Sequence, residues 1–200
     1  ISYAIELPLS SKYIDKVFVS TDDDNIAEIA IKYGALVPFL RPENISDHVT
    51  PTVPVISHAI KHLENQVDID NVCCIYPCSP IIKFDRLDQA YERMIDGKHL
   101  FAYPVSLYSH PIQRAMKMNS FGKMEYISSQ YELARTQDLD KTFHDTGQFY
   151  WGTLEAWTQE KKMHTDGIGI EINSWEYVDI DNEEDWKKAE IMKRVLDKIL

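Results

Sequence analysis

The sequence Trp175-Glu-Tyr-Val-Asp-Ile-Asp-Asn-Glu-Glu-Asp-Trp186 changes from an extended pattern to a helical pattern at Asn182. In an extended segment side chains alternate between two faces, so Asp179 and Asp181 project together while the apolar residues beside them enter the opposite layer. After Asn182, apolar residues recur every three or four positions, which predicts a helix capped by Asp181 or Asn182. The stretch therefore predicts a strand that ends at two neighbouring carboxylates.

Two interpretations of these acids remain open. Carboxylates in the first turn of a helix are stabilised by the positive end of the helix dipole, so capping alone explains them. Alternatively, two close carboxylates repel each other unless a divalent ion offsets their charge, and Mg²⁺ held by one or two carboxylates plus substrate phosphates suits a strand end. An EF-hand loop starting at Asp179 is excluded, because its sixth position is Glu184 where the turn requires glycine.

The composition describes an ordinary globular domain with one substantial core, since 44% of the 200 residues are hydrophobic and 26% are charged. The net charge of -11 argues against a nucleic-acid or anionic-membrane surface, because both need clustered lysine and arginine. The sequence shows neither a long apolar span nor a signal-peptide pattern, so we expect a cytoplasmic protein. An anionic substrate would have to meet locally placed cations.

Local patterns predict several elements with their bounds. Residues 16–20 and 35–38 are predicted to form short strands, and between them residues 21–24 cap a helix that stops at Gly34. The inward residues expected of that helix are Ile26, Ile29, Ala30 and Tyr33. Asp85 is expected to cap a later helix, and Trp186 is expected in the apolar stripe of the last one.

Strands alternate with helices along the first half of the chain. Residues 71–77 are almost continuously apolar, as expected for a strand at the centre of a parallel sheet that is covered on both faces. The alternation predicts a three-layer α/β domain with a mostly parallel central sheet. In such sheets ligands collect at the carboxyl ends of the strands, which are marked here by residues 22–24, Ser79 and the pair at 179 and 181. The alternation lapses over residues 106–140, where a hairpin around residues 119–122 predicts an extension from the core.

Several short motifs, taken in order, resemble the CMP-sialic acid synthetase-like cytidylyltransferases, which activate nine-carbon sugar acids. The matching residues are Val19-Ser-Thr-Asp-Asp23, Tyr33-Gly34, Arg41-Pro42 with Asp47 and Thr52, Ser79-Pro80, Arg135-Thr-Gln-Asp138, His144-Asp-Thr-Gly-Gln-Phe-Tyr-Trp-Gly152 and Asp179-Ile-Asp181. Each motif is weak alone, but their ordered combination covers nearly the whole chain. The Gly-Gln-Phe-Tyr-Trp stretch points to the branch of the family that acts on pseudaminic acid.

The resemblance implies a Rossmann-like nucleotidyltransferase fold in a single domain, residues 1–200, with residues 106–140 as a dimerisation extension. It implies transfer of CMP from CTP to the anomeric hydroxyl of a nine-carbon 2-keto sugar acid, pseudaminic acid being the expected substrate, with release of pyrophosphate. The family opens with a strand and a basic phosphate loop before the first helix, so we expect this sequence to be a trimmed form of a longer protein.

Alternative functions remain at this stage. The same reaction on N-acetylneuraminic or legionaminic acid is poorly separated by sequence, and a non-catalytic nucleotide- or sugar-binding protein is a second class. A Mg²⁺-dependent phosphatase with an Asp-x-Asp pair is disfavoured, because its nucleophilic aspartate should follow an early strand and this pair is late in the chain.

The resemblance also suggests roles for individual residues. Asp179 and Asp181 would be the catalytic pair that holds Mg²⁺. The nucleotide would contact Asp22, Arg41, Asp47, Thr52 and Ser79, although capping is an equally good explanation for Asp47 and Thr52. The sugar would contact Arg114, Arg135, Gln137, Asp145, Gln148 and Tyr150, with one of the arginines on the carboxylate because guanidinium pairs with carboxylate bidentately.

Two positions are treated separately. His144 is interpreted as a structural hydrogen-bond partner rather than a general base. The segment Tyr76-Pro-Cys-Ser-Pro80 replaces the Gln-Pro-Thr-Ser-Pro pattern usual in the sialic branch, so the sugar contact of that glutamine is missing and a different acyl-amino sugar is favoured.

Overall fold

The computed structural model describes residues 1–199, with side chains through residue 198. The helices are α1 (Ser2–Glu6), α2 (Asp24–Lys32), α3 (Thr52–Leu63), α4 (Phe84–Asp96), α5 (Leu154–Thr158) and α6 (Glu183–Ile199). The strands are β1 (Asn71–Ile75), β2 (Phe101–Leu107), β3 (Met116–Met118), β4 (Met124–Tyr126), β5 (Phe143–Asp145), β6 (Phe149–Thr153) and β7 (Gly167–Glu171).

A mixed five-stranded sheet forms the centre of the fold. Its order is β1-β6-β2-β5, and β7 pairs with β2. Strand β6 runs antiparallel to β1 and β2, whereas β7 runs parallel to β2. Consequently β1, β2 and β7 share one direction, which agrees with the expected mostly parallel α/β sheet, while β5 and β6 oppose them.

These pairings contradict the expectation that residues 71–77 lie at the centre of the sheet. Strand β1 pairs only with β6 among the described residues, so it lies at an edge of the sheet. Residues 71–78 line a large cleft beside that edge.

Strand β6 lies within the hydrophobic core. Phe149, Tyr150 and Trp151 are all buried. The indole Nε1 of Trp151 donates to the Leu87 carbonyl at 3.0 Å and thereby joins the sheet to α4. Gly152 permits close packing at the end of β6, because a Cβ there would lie 2.4 Å from the Trp157 indole nitrogen.

Two predicted N-terminal strands are reduced to a single contact. Residues 16–20 and 35–38 meet in one parallel bridge between Phe18 and Leu36. The bridge is closed by a bond from the Leu36 amide to the Val17 carbonyl at 2.8 Å. Helix α2 follows, capped by Asp23, whose carboxylate accepts from the amides of the first turn. It ends before Gly34, as the sequence predicted.

Helix α2 differs from the prediction in the face that it buries. Ile26 and Ile29 are 42% and 45% exposed and line the large cleft, whereas the buried residues are Ala27 and Ala30. Helix α4 also begins differently, because Lys83 occupies its N-cap position and Asp85 lies within its first turn.

Residues 177–180 have no regular secondary structure and pair with no strand among the described residues, so the strand predicted to end at these acids is wrong. A turn between Asn173 and Glu176 leads the chain away from β7 before the acids are reached. Val178 is nevertheless buried as predicted and packs near Ile81. Asn182 caps α6, its side-chain oxygen accepting from the amides of the first turn at 2.9 and 3.1 Å.

The hairpin predicted around residues 119–122 is present as β3 and β4, with Gly122 at a φ of 79° in the turn. Trp186 departs from the predicted apolar stripe of α6, since it is 58% exposed. None of the helices described here has the length and apolarity needed to span a bilayer.

Candidate active site

Two cavities meet beside the open end of β1. The large cleft, about 1210 Å³, lies between residues 17–22, α3 and β1. The small cavity, about 490 Å³, is lined by residues 51–54, Tyr76, Asp145, Tyr150 and residues 160–164. Thr52 and Tyr76 line both, and a hydrogen bond of 2.5 Å joins their hydroxyl groups. These two side chains therefore form a shared wall.

The large cleft gathers four of the five residues that the resemblance assigned to the nucleotide: Asp22, Arg41, Asp47 and Thr52. Arg41 donates to the Asp22 carboxylate at 3.2 Å and to the Ser46 hydroxyl at 3.0 Å. The fifth residue, Ser79, is only 2% exposed and lines neither cavity. Ser79 is therefore not placed with the other four residues expected to contact the nucleotide.

Asp47 orders the loop in front of α3. Its Oδ1 accepts from the Thr50 amide at 2.7 Å and from the Val49 amide at 3.0 Å. Hydrogen bonds from Thr50 and Val49 lower the pKa of the Asp47 carboxyl, because they favour its charged form. Thr52 begins α3 without a side-chain cap bond, and its hydroxyl is used by Tyr76 instead.

Asp145 is the centre of a hydrogen-bond network in the small cavity. Its Oδ2 accepts from the Tyr150 hydroxyl at 2.5 Å and lies 2.8 Å from the His164 Nε2, while its Oδ1 accepts from the Gly147 amide at 2.9 Å. Burial and the hydrogen bond to Asp145 raise the pKa of Tyr150, so this phenol remains a donor. The network fixes Asp145 and Tyr150, both predicted from sequence, against the cavity wall.

His164 was not predicted. Its backbone carbonyl accepts from the Tyr103 hydroxyl at 2.9 Å, which holds the residue beside Asp145 from a second direction. The contact joins residues 19 positions apart in the sequence, and no local pattern around His164 indicates it.

The paired acids lie next to this network. A Cβ at Gly147 would be 3.6 Å from the Asp179 carboxylate, so the turn after Asp145 touches the first of the two acids. Burial raises the pKa of Asp179, and the negative charges of Asp181, Asp145 and Asp185 add to the effect. A hard divalent cation would relieve this repulsion, and carboxylate oxygens are the ligands that Mg²⁺ prefers.

No group of three or more His, Cys, Asp or Glu side chains within residues 1–198 is arranged to hold a metal by protein ligands alone. Any cation at Asp179 and Asp181 would therefore take its other ligands from water or a bound phosphate. This arrangement fits Mg²⁺, which keeps several ligands of that kind in phosphate-binding enzymes.

The remaining predicted sugar contacts lie away from both cavities. Arg114, Arg135 and Gln137 belong to the extension and line neither space. Gln148 is 2% exposed, and its amide donates to the Glu176 carbonyl at 3.0 Å. The structure thus brings Asp145 and Tyr150 together and leaves the other four predicted contacts separate within this chain.

His144 has the structural role interpreted from the sequence. Its Nδ1 lies 2.8 Å from the Asp145 carbonyl oxygen, and its Nε2 lies 3.0 Å from the Tyr177 hydroxyl. Because a carbonyl oxygen only accepts, Nδ1 donates to Asp145, and the Tyr177 hydroxyl holds the other ring nitrogen.

A buried ion pair fixes the turn before the acids. Glu176 is 3% exposed, and both of its carboxylate oxygens accept from the Arg86 Nη2 at 3.0 Å. Its Oε1 also accepts from the Arg86 Nε at 3.2 Å, and its Oε2 accepts from the Asn173 amide at 2.9 Å. Burial opposes ionisation of Glu176, yet the bonds from Asn173 and the charge of Arg86 lower its pKa to about 2. Sequence reasoning missed this pair, which joins positions 90 residues apart.

Comparison with known proteins gives three findings. The family model described as cytidylyltransferase matches residues 1–163. A pseudaminic acid cytidylyltransferase of Campylobacter jejuni is 38% identical over 199 residues, which cover 98% of this chain and 85% of that protein. A CMP-N,N'-diacetyllegionaminic acid synthase of Legionella pneumophila is 27% identical over 195 residues, with 95% and 83% covered.

A solved structure supports the fold. It is a CMP:2-keto-3-deoxy-manno-octonic acid synthetase in complex with CTP, with a TM-score of 0.66 and 14% sequence identity, covering 100% of this chain and 88% of that one. At this identity the similarity establishes the α/β architecture alone.

Proposed function

Because this chain belongs to the cytidylyltransferase family, we propose that it transfers CMP from CTP to the anomeric hydroxyl of a nine-carbon 2-keto sugar acid and releases pyrophosphate. Pseudaminic acid is the proposed acid, since relatives named for that substrate are 36% to 38% identical to this chain. The observation that carries the proposal is the pair of cavities that share the wall of Thr52 and Tyr76. Asp179 adjoins the turn beside Asp145, which lines the small cavity.

The large cleft is the proposed CTP site. It is large enough for a nucleotide, since ligand pockets commonly measure about 300–1,000 Å³. Arg41 supplies a local cation in a chain whose net charge is -11. Its guanidinium group is held by Asp22 and Ser46, so its position is set before an anion arrives.

The small cavity is the proposed acid site. Its volume of about 490 Å³ lies within the range of small-molecule pockets, and Tyr76, Asp145 and Tyr150 present hydroxyl and carboxylate groups to it. Such groups hydrogen-bond sugar hydroxyls and amides. Because the Asp145 network is formed within the chain itself, it orients the acid without a large ordering cost.

In this proposal the sugar hydroxyl attacks the α-phosphorus of CTP in line with the departing pyrophosphate. The tasks of the protein are to align the two substrates across the shared wall and to neutralise developing charge. Asp179 and Asp181 would hold Mg²⁺, which would lower the charge on the phosphates when bound.

A homodimer is proposed through the extension. Phe121 and Leu133 are 93% and 94% exposed, and Met118 and Ile127 are 68% and 64% exposed. Exposed apolar side chains clustered on one segment are typical of an interaction surface. A partner's extension could also bring Arg114 or Arg135 to a site. Light scattering tests this proposal, and a monomer at working concentration would contradict it.

The reaction is tested by measuring pyrophosphate release from CTP and Mg²⁺ with the full-length protein and pseudaminic, legionaminic and N-acetylneuraminic acids. We expect release that depends on the acid and is greatest with pseudaminic acid. Calorimetric binding of CTP and an acid without release would favour the alternative, a non-catalytic binding protein.

A further inference from the structure

One wall of the small cavity is a basic loop, defined here as residues 160–164. It contributes Lys161, Lys162 and His164 to the lining, opposite Thr52 and Tyr76. Sequence analysis assigned none of these three basic residues to a site. All three nevertheless line the cavity that is proposed for an anionic substrate.

The basic loop is fixed to the core. The Lys161 amide donates to the Ala156 carbonyl at 3.0 Å, and the Lys162 amide donates to the Asp166 carboxylate at 3.0 Å. Met163 is 8% exposed and belongs to the core cluster around Trp157. These anchors on both sides keep the backbone of Lys161 in place, so its side chain starts from a defined position on the cavity wall.

Some charged groups of the cavity wall already have hydrogen-bond partners, whereas others do not. Asp145 already accepts from Tyr150 and Gly147 and contacts His164. Lys161 is half-buried, and within the part of the chain that the structure describes its ammonium group forms no ion pair or side-chain hydrogen bond. Glu160 also lines the cavity, but it is exposed to solvent. The Lys161 ammonium group is therefore a half-buried cation that is available to an entering anion.

We propose that Lys161 binds the carboxylate of the sugar acid. The assignment rests on the proposed function, which supplies an acid to this cavity. An ammonium group on a flexible stem binds a carboxylate as a point charge, and the partly buried site strengthens the attraction. Arg114 and Arg135, the cations that sequence analysis favoured, line neither cavity in this chain.

This contact also positions the reacting group. In a 2-keto sugar acid the carboxylate carbon is bonded directly to the anomeric carbon, so a cation on the carboxylate restrains the adjacent hydroxyl. Asp145 adjoins both the basic loop, through His164, and Asp179, through the Gly147 turn. A carboxylate held at Lys161 would thus restrain the hydroxyl within a cavity whose Asp145 network adjoins Asp179.

The test compares the sugar acid with its methyl ester, which keeps the anomeric hydroxyl and removes the negative charge. Lys161→Met should lower kcat/KM for the acid by about 10- to 100-fold, as expected for loss of a charge-assisted hydrogen bond. The same variant should change kcat/KM for the ester by less than about 3-fold, so the preference for the acid should collapse. Lys161→Arg should restore part of that preference.

The matched control is Lys32→Met, which removes an exposed lysine of α2 that lines neither cavity. Arg135→Met is measured beside it. An unchanged acid-to-ester ratio in Lys161→Met, or a collapse of that ratio in Arg135→Met alone, would overturn the assignment.

Failure of the inference and failure of the proposed function give different results. If wild-type protein turns over the acid and Lys161→Met does so with the same kcat/KM, the inference is refuted and the proposed function stands. Wild-type protein that releases no pyrophosphate with any acid refutes the function. In that case calorimetry with the acid still tests Lys161, and equal affinities in wild type and variant would refute the contact.

Discussion

The large cleft and the small cavity share a wall, but residues of different burial hold them. In the cleft, Asp22 and Asp47 are exposed, and their carboxylates bond the Arg41 guanidinium group and loop amides. In the cavity, Asp145 bonds Tyr150, which is 2% exposed, and contacts His164, whose carbonyl accepts from the buried Tyr103. The first region is built on exposed loops, whereas the second is built on side chains of the core.

This difference indicates how each region responds to a ligand. Exposed loops are stabilised by few other interactions, so the cleft is expected to adjust as CTP binds. The cavity network is anchored on β5 and β6 in the core, which favours a preformed acid site that loses little entropy on binding. Variants in the two regions should therefore affect different substrates.

The largest effect is expected at the paired acids, which line neither cavity but of which Asp179 adjoins the Gly147 turn beside Asp145. Asp179→Asn and Asp181→Asn should each lower kcat by about 1,000-fold, because they remove charge that would hold the cation on the phosphates. Thermal unfolding and CTP binding in the absence of Mg²⁺ should stay near wild type. Full turnover in both variants would show that neither acid holds a catalytic cation.

The ion pair behind the acids should control stability. Glu176→Gln should lower the free energy of unfolding at pH 7 by about 3 kcal/mol, since the Arg86 charge loses its buried partner. The folded-state pKa of Glu176 is lowered from 4.5 to about 2, so its contribution is present above pH 4.5 and is lost as the pH falls toward 2.

Denaturant unfolding between pH 7 and pH 2 checks this prediction. The stability difference between wild type and Glu176→Gln should shrink across the acid range, while the exposed control Glu171→Gln should stay within about 0.5 kcal/mol of wild type at every pH. A difference independent of pH would mean that packing, rather than the charge of Glu176, accounts for the loss.

The shared wall should produce a smaller effect that reaches both substrates. Thr52→Val keeps the shape of the side chain and removes its bond to Tyr76, so KM should rise about 3- to 5-fold for CTP and for the acid. Steady-state kinetics with each substrate varied in turn measures both values. A rise for one substrate alone would place Thr52 in a single site.

The smallest effect is a shift in pH dependence that couples the cavity to the acids. The charge of Asp145 is one cause of the raised pKa of Asp179, after burial and Asp181. Asp145→Asn should therefore lower the pKa of Asp179 and move the acidic limb of the kcat profile to lower pH. A limb that stays in place would show that Asp179 does not set it.

Much of the fold follows from local patterns in the sequence. The cap of α2, its end before Gly34, the cap of α6 at Asn182 and the β3-β4 hairpin each depend on residues close together in the chain, and each is found. The edge position of β1 could not be deduced from its apolar residues, because burial by a neighbouring strand and burial under a helix favour the same composition.

The candidate site divides in the same way. Resemblance led to Asp22, Arg41, Asp47, Thr52, Asp145 and Tyr150, which the structure places at two adjoining cavities. It did not lead to His164, Lys161 or the Glu176 pair, because these positions depend on where α5 and the turn before Asp179 meet the sheet. Tertiary contacts over 19 and 90 residues leave no periodic signal in the sequence.

KM values in two variants test whether each cavity binds one of the two substrates. Arg41→Met should raise KM for CTP about 10-fold and leave KM for the acid within about 2-fold, while Tyr150→Phe should do the reverse. Tyr33→Phe, which lines neither cavity, should change neither value. If Arg41→Met and Tyr150→Phe raise both KM values together, the two cavities do not bind separate substrates and the account is contradicted.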